Sequence, residues 1–261
     1  MGDQQDTPQP WWRRKWIAGV LAAVVTALVG LVVGDVYPDV KEWVTGASKT
    51  PVRINAREHA HGGEFDLAAA SPAGLDTKLR AAKDCNALFA AAKHAGAVAI
   101  DTSVIDLLLE GRTHRTVTIT DVRARIVKRE PALTGASIKC KSAAQLAAID
   151  LVLKLDEPSP VARKNTPNGP GEPYFGQGDV VVLKREELQP VQVVALLERG
   201  AVQWKMEVDA IIDGERKTIT IDNHGAPFRL TASAARYGRY FEWVWYETPQ
   251  HLYVADAPKT R

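Results

Sequence analysis

The stretch AVQWKMEVDAIIDGERKTITID, Ala201 to Asp222, decides the fold. Val202, Trp204, Met206, Val208, Ala210 and Ile212 are apolar at every second position, with Gln203, Lys205, Glu207 and Asp209 between them. A two-residue period places all six on one side of an extended strand. Asp213 and Gly214 follow, a residue pair that tolerates positive φ and so builds a two-residue hairpin turn. Folding back at that turn sets Val208 against Ile219 and Met206 against Ile221, so apolar side chains meet on one face and the pairing checks itself.

The same period recurs on both sides of this hairpin. A turn at Asn223 to Gly225 returns Phe228 and Leu230 as a further strand. Upstream, Ile105, Leu107 and Leu109 alternate, followed by Val117 and Ile119 and then by Val122, Ala124 and Ile126. The phase slip near Asp121 predicts a β-bulge. Ile149, Leu151, Leu153 and Leu155 line one face of another strand, and the runs Val180 to Leu183 and Val191 to Leu197 read as buried strands. Between Leu75 and His94 the apolar positions step by three and four, which predicts one helix or two short ones, with Gly96 at the C-terminal cap. Several short strands separated by turns predict a mainly β fold: an immunoglobulin-like antiparallel β-sandwich with a short helical insert. The segment Pro158 to Gly178 carries five prolines and four glycines. It is expected to be a long loop without regular structure, with Tyr174 and Phe175 docking its end.

Ahead of these strands lies WWRRKWIAGVLAAVVTALVGLVVGD, Trp11 to Asp35. Ile17 to Val33 is seventeen residues without a charge, the lower limit for a membrane-spanning helix. Trp11, Trp12 and Trp16 suit the headgroup layer, and Arg13, Arg14 and Lys15 mark the cytoplasmic side by the positive-inside rule. A cleaved signal peptide competes with this reading, although no A-x-A motif follows. The paired arginines match a twin-arginine signal only in part. The expected organisation is a disordered cytoplasmic tail over 1–12, one transmembrane helix over 13–36, a juxtamembrane linker over 37–64, and an extracytoplasmic β-sandwich domain over 65–261. Ala18, Ala22, Thr26, Gly30 and Gly34 recur every four residues, a small-residue face through which two such helices can form a homodimer.

Of 33 basic and 31 acidic residues, three of each fall before residue 38, so the exported part holds 30 against 28 and keeps the whole net charge of +2. Such a balance excludes the basic footprint of a nucleic-acid binder. The two cysteines, Cys85 and Cys140, both lie in the exported part, where an oxidising compartment favours a disulfide over two buried thiols.

The order VIDLLLEGRTHRTVTITDVRARIVKREP (104–131), SIKC (137–140), the Pro-rich segment, and VQWKMEVDAIIDGERKTITIDNHGAPFRL (202–230) resembles a family of uncharacterised actinobacterial membrane-anchored proteins. The resemblance spans roughly residues 75 to 245 and is most specific in its W-x-x-x-V…DG…ITID-x-x-G-x-PF run. Some members place a helix-turn-helix domain before the membrane segment, where this chain has only a short tail. The resemblance implies a fold and a location but no catalytic residues, and the additional cysteines of several members leave the bridging pattern open.

Candidate chemistry is sparse. His59 and His61, with Glu58 and Glu64 beside them, have the H-x-H spacing two imidazoles need for one metal ion, but a third ligand is missing and Gly62 and Gly63 suit a solvated loop. The sequence contains no G-x-S-x-G or S-x-x-K motif, so no enzyme activity, metal or cofactor is expected. Two surfaces are candidates for binding. Arg112, Arg115, Arg123, Arg125, Lys128 and Arg129 form a basic strip able to meet anionic lipid heads or acidic wall polymers, or simply to be a solvated strand face. Tyr240, Phe241, Trp243, Trp245, Tyr246 and Tyr253 concentrate near the end of the chain. In a strand Tyr240 and Tyr246 share one face and Phe241, Trp243 and Trp245 the other, which gives either a stacking platform for a sugar or peptide, or core packing. The candidate ligand-binding residues are therefore Tyr240, Trp243, Trp245, Tyr246, Arg123 and Arg125. The functional expectation is a single-pass, membrane-anchored binding module of the cell envelope whose partners are the bilayer and an envelope polymer or protein. The alternatives are an envelope hydrolase with a hidden site and a receptor subunit that signals through a partner.

Overall fold

The computed structural model describes residues 51–59, 65–112, 116–141, 149–176, 178–244, 246–247 and 249–256. In chain order the strands are β1 (Val52–His59), β2 (Phe65–Ala69), β3 (Val98–Ile100), β4 (Thr102–Gly111), β5 (Val117–Glu130), β6 (Ala136–Cys140), β7 (Ile149–Lys154) and β8 (Arg163–Thr166). They continue with β9 (Gly169–Pro173), β10 (Val181–Leu183), β11 (Leu188–Leu196), β12 (Ala201–Ile212), β13 (Glu215–Ile221), β14 (Phe228–Thr231), β15 (Arg239–Val244) and β16 (His251–Asp256). Two helices, α1 (Leu75–Leu79) and α2 (Cys85–His94), lie between β2 and β3. The expected transmembrane helix falls outside the described residues. Among the described residues no helix is long and apolar enough to cross a membrane.

The strands form two sheets. The smaller runs β1-β4-β11-β7-β8-β9 and the larger β10-β5-β12-β14-β3-β2-β6-β15-β16, with β13 added against β12. The expected hairpin is present in the expected register, Met206 opposite Ile221 and Val208 opposite Ile219. Its turn holds Asp213 at φ 54° and Gly214 at φ 79°, the left-handed pair that matches the twist of the flanking strands. The β5–β12 register shifts between Asp209 and Ala210, opposite Asp121 and Ile119, so Thr120 is the bulged residue.

The sandwich arises because both sheets turn apolar rows inward. Ile105, Leu107 and Leu109 of β4 and Leu151 and Leu153 of β7 share one buried cluster with Ile119 and Val122 of β5 and with Trp204, Met206 and Val208 of β12. Beyond the reach of the smaller sheet, the helical insert takes over as the covering layer. Leu88 and Ala92 of α2 are buried in the same cluster, and Phe89 packs edge-on against Phe65 at 5.3 Å. Asp84 caps the start of α2, its side chain accepting the Ala87 N–H at 2.8 Å, which satisfies a donor that the first helical turn leaves open. A disulfide joins Cys85 at that end to Cys140 at the end of β6, with Cα atoms 5.9 Å apart.

Backbone hydrogen bonds tie the two layers together at two corners. At Asp101, φ 57°, the chain leaves β3 in the larger sheet and enters β4 in the smaller one. The Asp101 N–H donates to the Thr231 carbonyl at 2.8 Å, its carbonyl accepts from Leu197 at 2.9 Å, and its carboxylate accepts the Ser233 N–H at 2.5 Å. The second corner is Pro160 to Arg163. There the Ala124 N–H donates to the Pro160 carbonyl and the Ala162 N–H to the Val122 carbonyl, before Arg163 opens β8 in the smaller sheet. Arg129 adds a side-chain tie, donating to the Leu155 carbonyl at 2.7 Å.

Three expectations are corrected. Val52–His59, assigned above to the linker, is a strand paired with β4 along all eight residues, and Val52 is buried. The Pro-rich segment is not structureless: β8 and β9 form a hairpin across Pro167 and Asn168 and extend the smaller sheet from β7. Its prolines are tolerated because Pro170 and Pro173 lie on the outermost strand, where the missing N–H faces no partner. The architecture also exceeds the immunoglobulin plan of seven to nine antiparallel strands. β7 with β11, β3 with β14 and β6 with β15 are parallel pairs.

Candidate functional site

The outer face of β5 and β12 carries Arg123 and Arg125, expected to bind anions, and the fold pairs both with carboxylates. On β12 the residues between the core positions are Lys205, Glu207 and Asp209, which the bulged register brings beside Arg123 and Arg125. Arg123 donates to Asp209 through two nitrogens, at 2.6 and 3.3 Å, to Glu207 at 3.1 Å and to Asp121 at 3.2 Å. Arg125 donates to Glu207 at 2.8 Å. The Asp209 hydrogen bond raises the Arg123 pKa, and the same guanidinium holds the Asp209 carboxyl below its ordinary value, aided by the Thr218 hydroxyl at 2.6 Å. Further along, Lys128 pairs with Glu130 and Lys205 with Asp222, each at 2.7 Å. At Arg123, Arg125 and Lys128 the strip is thus a lattice of alternating charge. Arg115 lies outside the described residues.

The aromatic segment divides differently from the expectation. Phe241 and Trp243 point inward and are 1% and 5% exposed, so Trp243 is a core residue and not part of a platform. Burying large rings in the core stabilises more than displaying them. Trp245 lies outside the described residues. Tyr240 is half-buried on the opposite face; its hydroxyl accepts the Tyr237 N–H at 3.2 Å and its ring meets that of Tyr237 edge-on at 6.0 Å. Tyr237 is buried, which pushes its phenol pKa up, and its oxygen accepts the Ala234 N–H. Tyr246 and Tyr253 are 69% and 53% exposed. In the β15–β16 register Tyr253 stands opposite Glu242 and Ala255 opposite Tyr240, so Tyr240, Glu242 and Tyr253 share the outward face of the hairpin. That face can stack a flat ring and offer it a carboxylate. The alternation in HLYVAD (251–256) is the sequence signal that places Tyr253 on this face.

The side chains of the H-x-H pair, His59 and His61, lie outside what the structure describes. Glu58 accepts from Lys93 at 2.8 Å and from the Ser103 hydroxyl at 3.0 Å, a buried tie between α2, β1 and β4. His61 and Glu64 lie outside the described residues. No group of three His, Cys, Asp or Glu side chains among those described is placed to hold a metal ion. A gap of about 10 Å³ separates the sheets behind Tyr174 and Phe175. Its lining includes Leu107, Ile119, Leu151 and Val208, so it is a dry packing gap too small to receive a ligand.

No protein-family model matches the chain, and no curated protein is similar to it.

Proposed function

We propose that the chain is a single-pass membrane protein, N-terminus cytoplasmic, that displays its β-sandwich outside the cytoplasm as a binding module of the envelope rather than as an enzyme. What carries the reading is the Cys85–Cys140 bridge. A disulfide between a helix and a sheet belongs to an oxidising compartment, and the seventeen uncharged residues Ile17 to Val33 behind Arg13, Arg14 and Lys15 supply a route there. The outward face of Tyr240, Glu242 and Tyr253 is the proposed contact for an envelope polymer or protein, with Tyr246 close by in sequence. Tyrosine supplies amphipathic stacking area at low entropic cost.

The test is to express the tagged full chain in its host, separate membranes from supernatant, and treat intact cells with an external protease. The proposed topology predicts a membrane-bound chain, an intact N-terminus by mass spectrometry, and loss of a C-terminal tag to the protease. A soluble polypeptide starting near Asp35, or a tag protected until lysis, refutes it.

A further inference from the structure

We infer that β16 is a self-association edge, along which a second copy of this chain adds its own β16 in antiparallel fashion. Five strands among those described have one free side: β1, β9, β10, β13 and β16. An open edge invites a further strand unless something blocks it. β1 is guarded by Arg53, Arg57 and Glu58, β9 by Pro170 and Pro173, and β13 by Glu215, Arg216 and Lys217, while β10 spans only three residues. β16 has no such guard. Its polar residues, His251 and Asp256, stand at its two ends, and the interior Leu252, Tyr253, Val254 and Ala255 contains neither charge nor proline.

The choice of a second copy follows from the pattern of that interior. A two-fold antiparallel pair must be centred on one residue, because the axis cannot exchange hydrogen-bonded with non-hydrogen-bonded positions. Centred on Tyr253, the strand sets Leu252 against the partner's Val254 and Val254 against the partner's Leu252. Both already pack at the margin of the core beside Trp243 and Phe241, whose cross-strand neighbours they are. Pairing therefore continues the apolar layer from one copy into the next, while the two Tyr253 rings meet on the opposite face. Centring on Val254 would set Leu252 against the partner's Asp256. The strand is thus self-complementary in the register centred on Tyr253, the requirement of an isologous contact.

The experiment uses the full chain in detergent. Sedimentation over a concentration series is expected to show a monomer–dimer equilibrium. Tyr253→Lys, at a site 53% exposed and hence harmless to folding, places like charges on the axis and abolishes the dimer over the range in which the native chain forms it. Tyr253→Cys is expected to give a disulfide-linked dimer on mild oxidation, and Glu242→Cys, one strand further in, is not. A native chain that stays monomeric, a dimer that survives Tyr253→Lys, or cross-linking of Tyr253→Cys no stronger than that of Glu242→Cys overturns the inference. The surviving dimer would locate self-association elsewhere in the chain.

Discussion

Arg123 and Asp209 meet diagonally across β5 and β12, and their pairing keeps two carboxylates apart: Asp121 lies directly opposite Asp209 in the register, with the Arg123 guanidinium hydrogen-bonded to both. Replacing Arg123 with Met removes the positive charge and leaves like charges facing each other. A loss of about 1–2 kcal/mol is expected, between the values of exposed and buried pairs. Urea unfolding at neutral pH measures it, and an unchanged midpoint would assign the lattice no role in stability.

The same pair sets a pH dependence. Asp209 titrates below its ordinary 3.8 in the folded chain because Arg123 and Thr218 favour its charged form. A depressed carboxylate contributes stability that is present above the unfolded pKa and is lost as pH falls through the folded one. The stability gap between the native chain and Asp209→Asn is therefore expected to hold at pH 6 and to close as pH drops below about 3.8. A gap that persists in stronger acid would mean that geometry, and not charge, is what the substitution removes.

The Cys85–Cys140 bridge spans a sequence separation of 55. Closing a loop of that size restricts the unfolded chain by about 4 kcal/mol in the entropic account. Thermal melts with and without reductant, or of the Cys85→Ala/Cys140→Ala double variant, are expected to show a large drop in midpoint. The alanines avoid leaving a hydroxyl at the fully buried Cys140 site.

Asp101 combines a left-handed backbone with a side-chain acceptor at one corner of the sandwich. Asp101→Gly keeps the backbone freedom and loses the bond to Ser233, while Asp101→Ala loses both. The expected order of stability is native, then Gly, then Ala, with the alanine variant down by about 2–3 kcal/mol. Equal losses for the two variants would show that the carboxylate alone matters.

Much of this fold is legible in the sequence, and its gaps have physical reasons. The β12–β13 hairpin, the β5 bulge and the helical insert are written in local periodicity and turn chemistry, each resolved within about twenty residues. β1 escapes notice because VRINAREH holds only three apolar residues among polar and charged ones, as suits a guarded edge strand. The β8–β9 hairpin hides behind its prolines, which deny a central strand but not an outer one. Parallel pairs such as β6 with β15 join segments about a hundred residues apart and leave no local trace. The candidate site suffers in the same way: Arg123 and Arg125 look free until Glu207 and Asp209 arrive from across the sheet, and Trp243 looks displayed until the fold gathers it into the core cluster.

The two corners and the disulfide all lie downstream of β1, the first strand among the described residues. Tension applied at Pro51 therefore falls on an outer ribbon held by its ladder to β4 and, at its far end, by the Glu58 tie to Lys93 and Ser103, and no covalent clasp shares that load. Pulled from that end, the molecule is expected to surrender β1 at low force and keep the rest intact, a fuse placed where a tethered domain would be tugged. Force spectroscopy should register this as a small early step followed by one large, disulfide-shortened rupture.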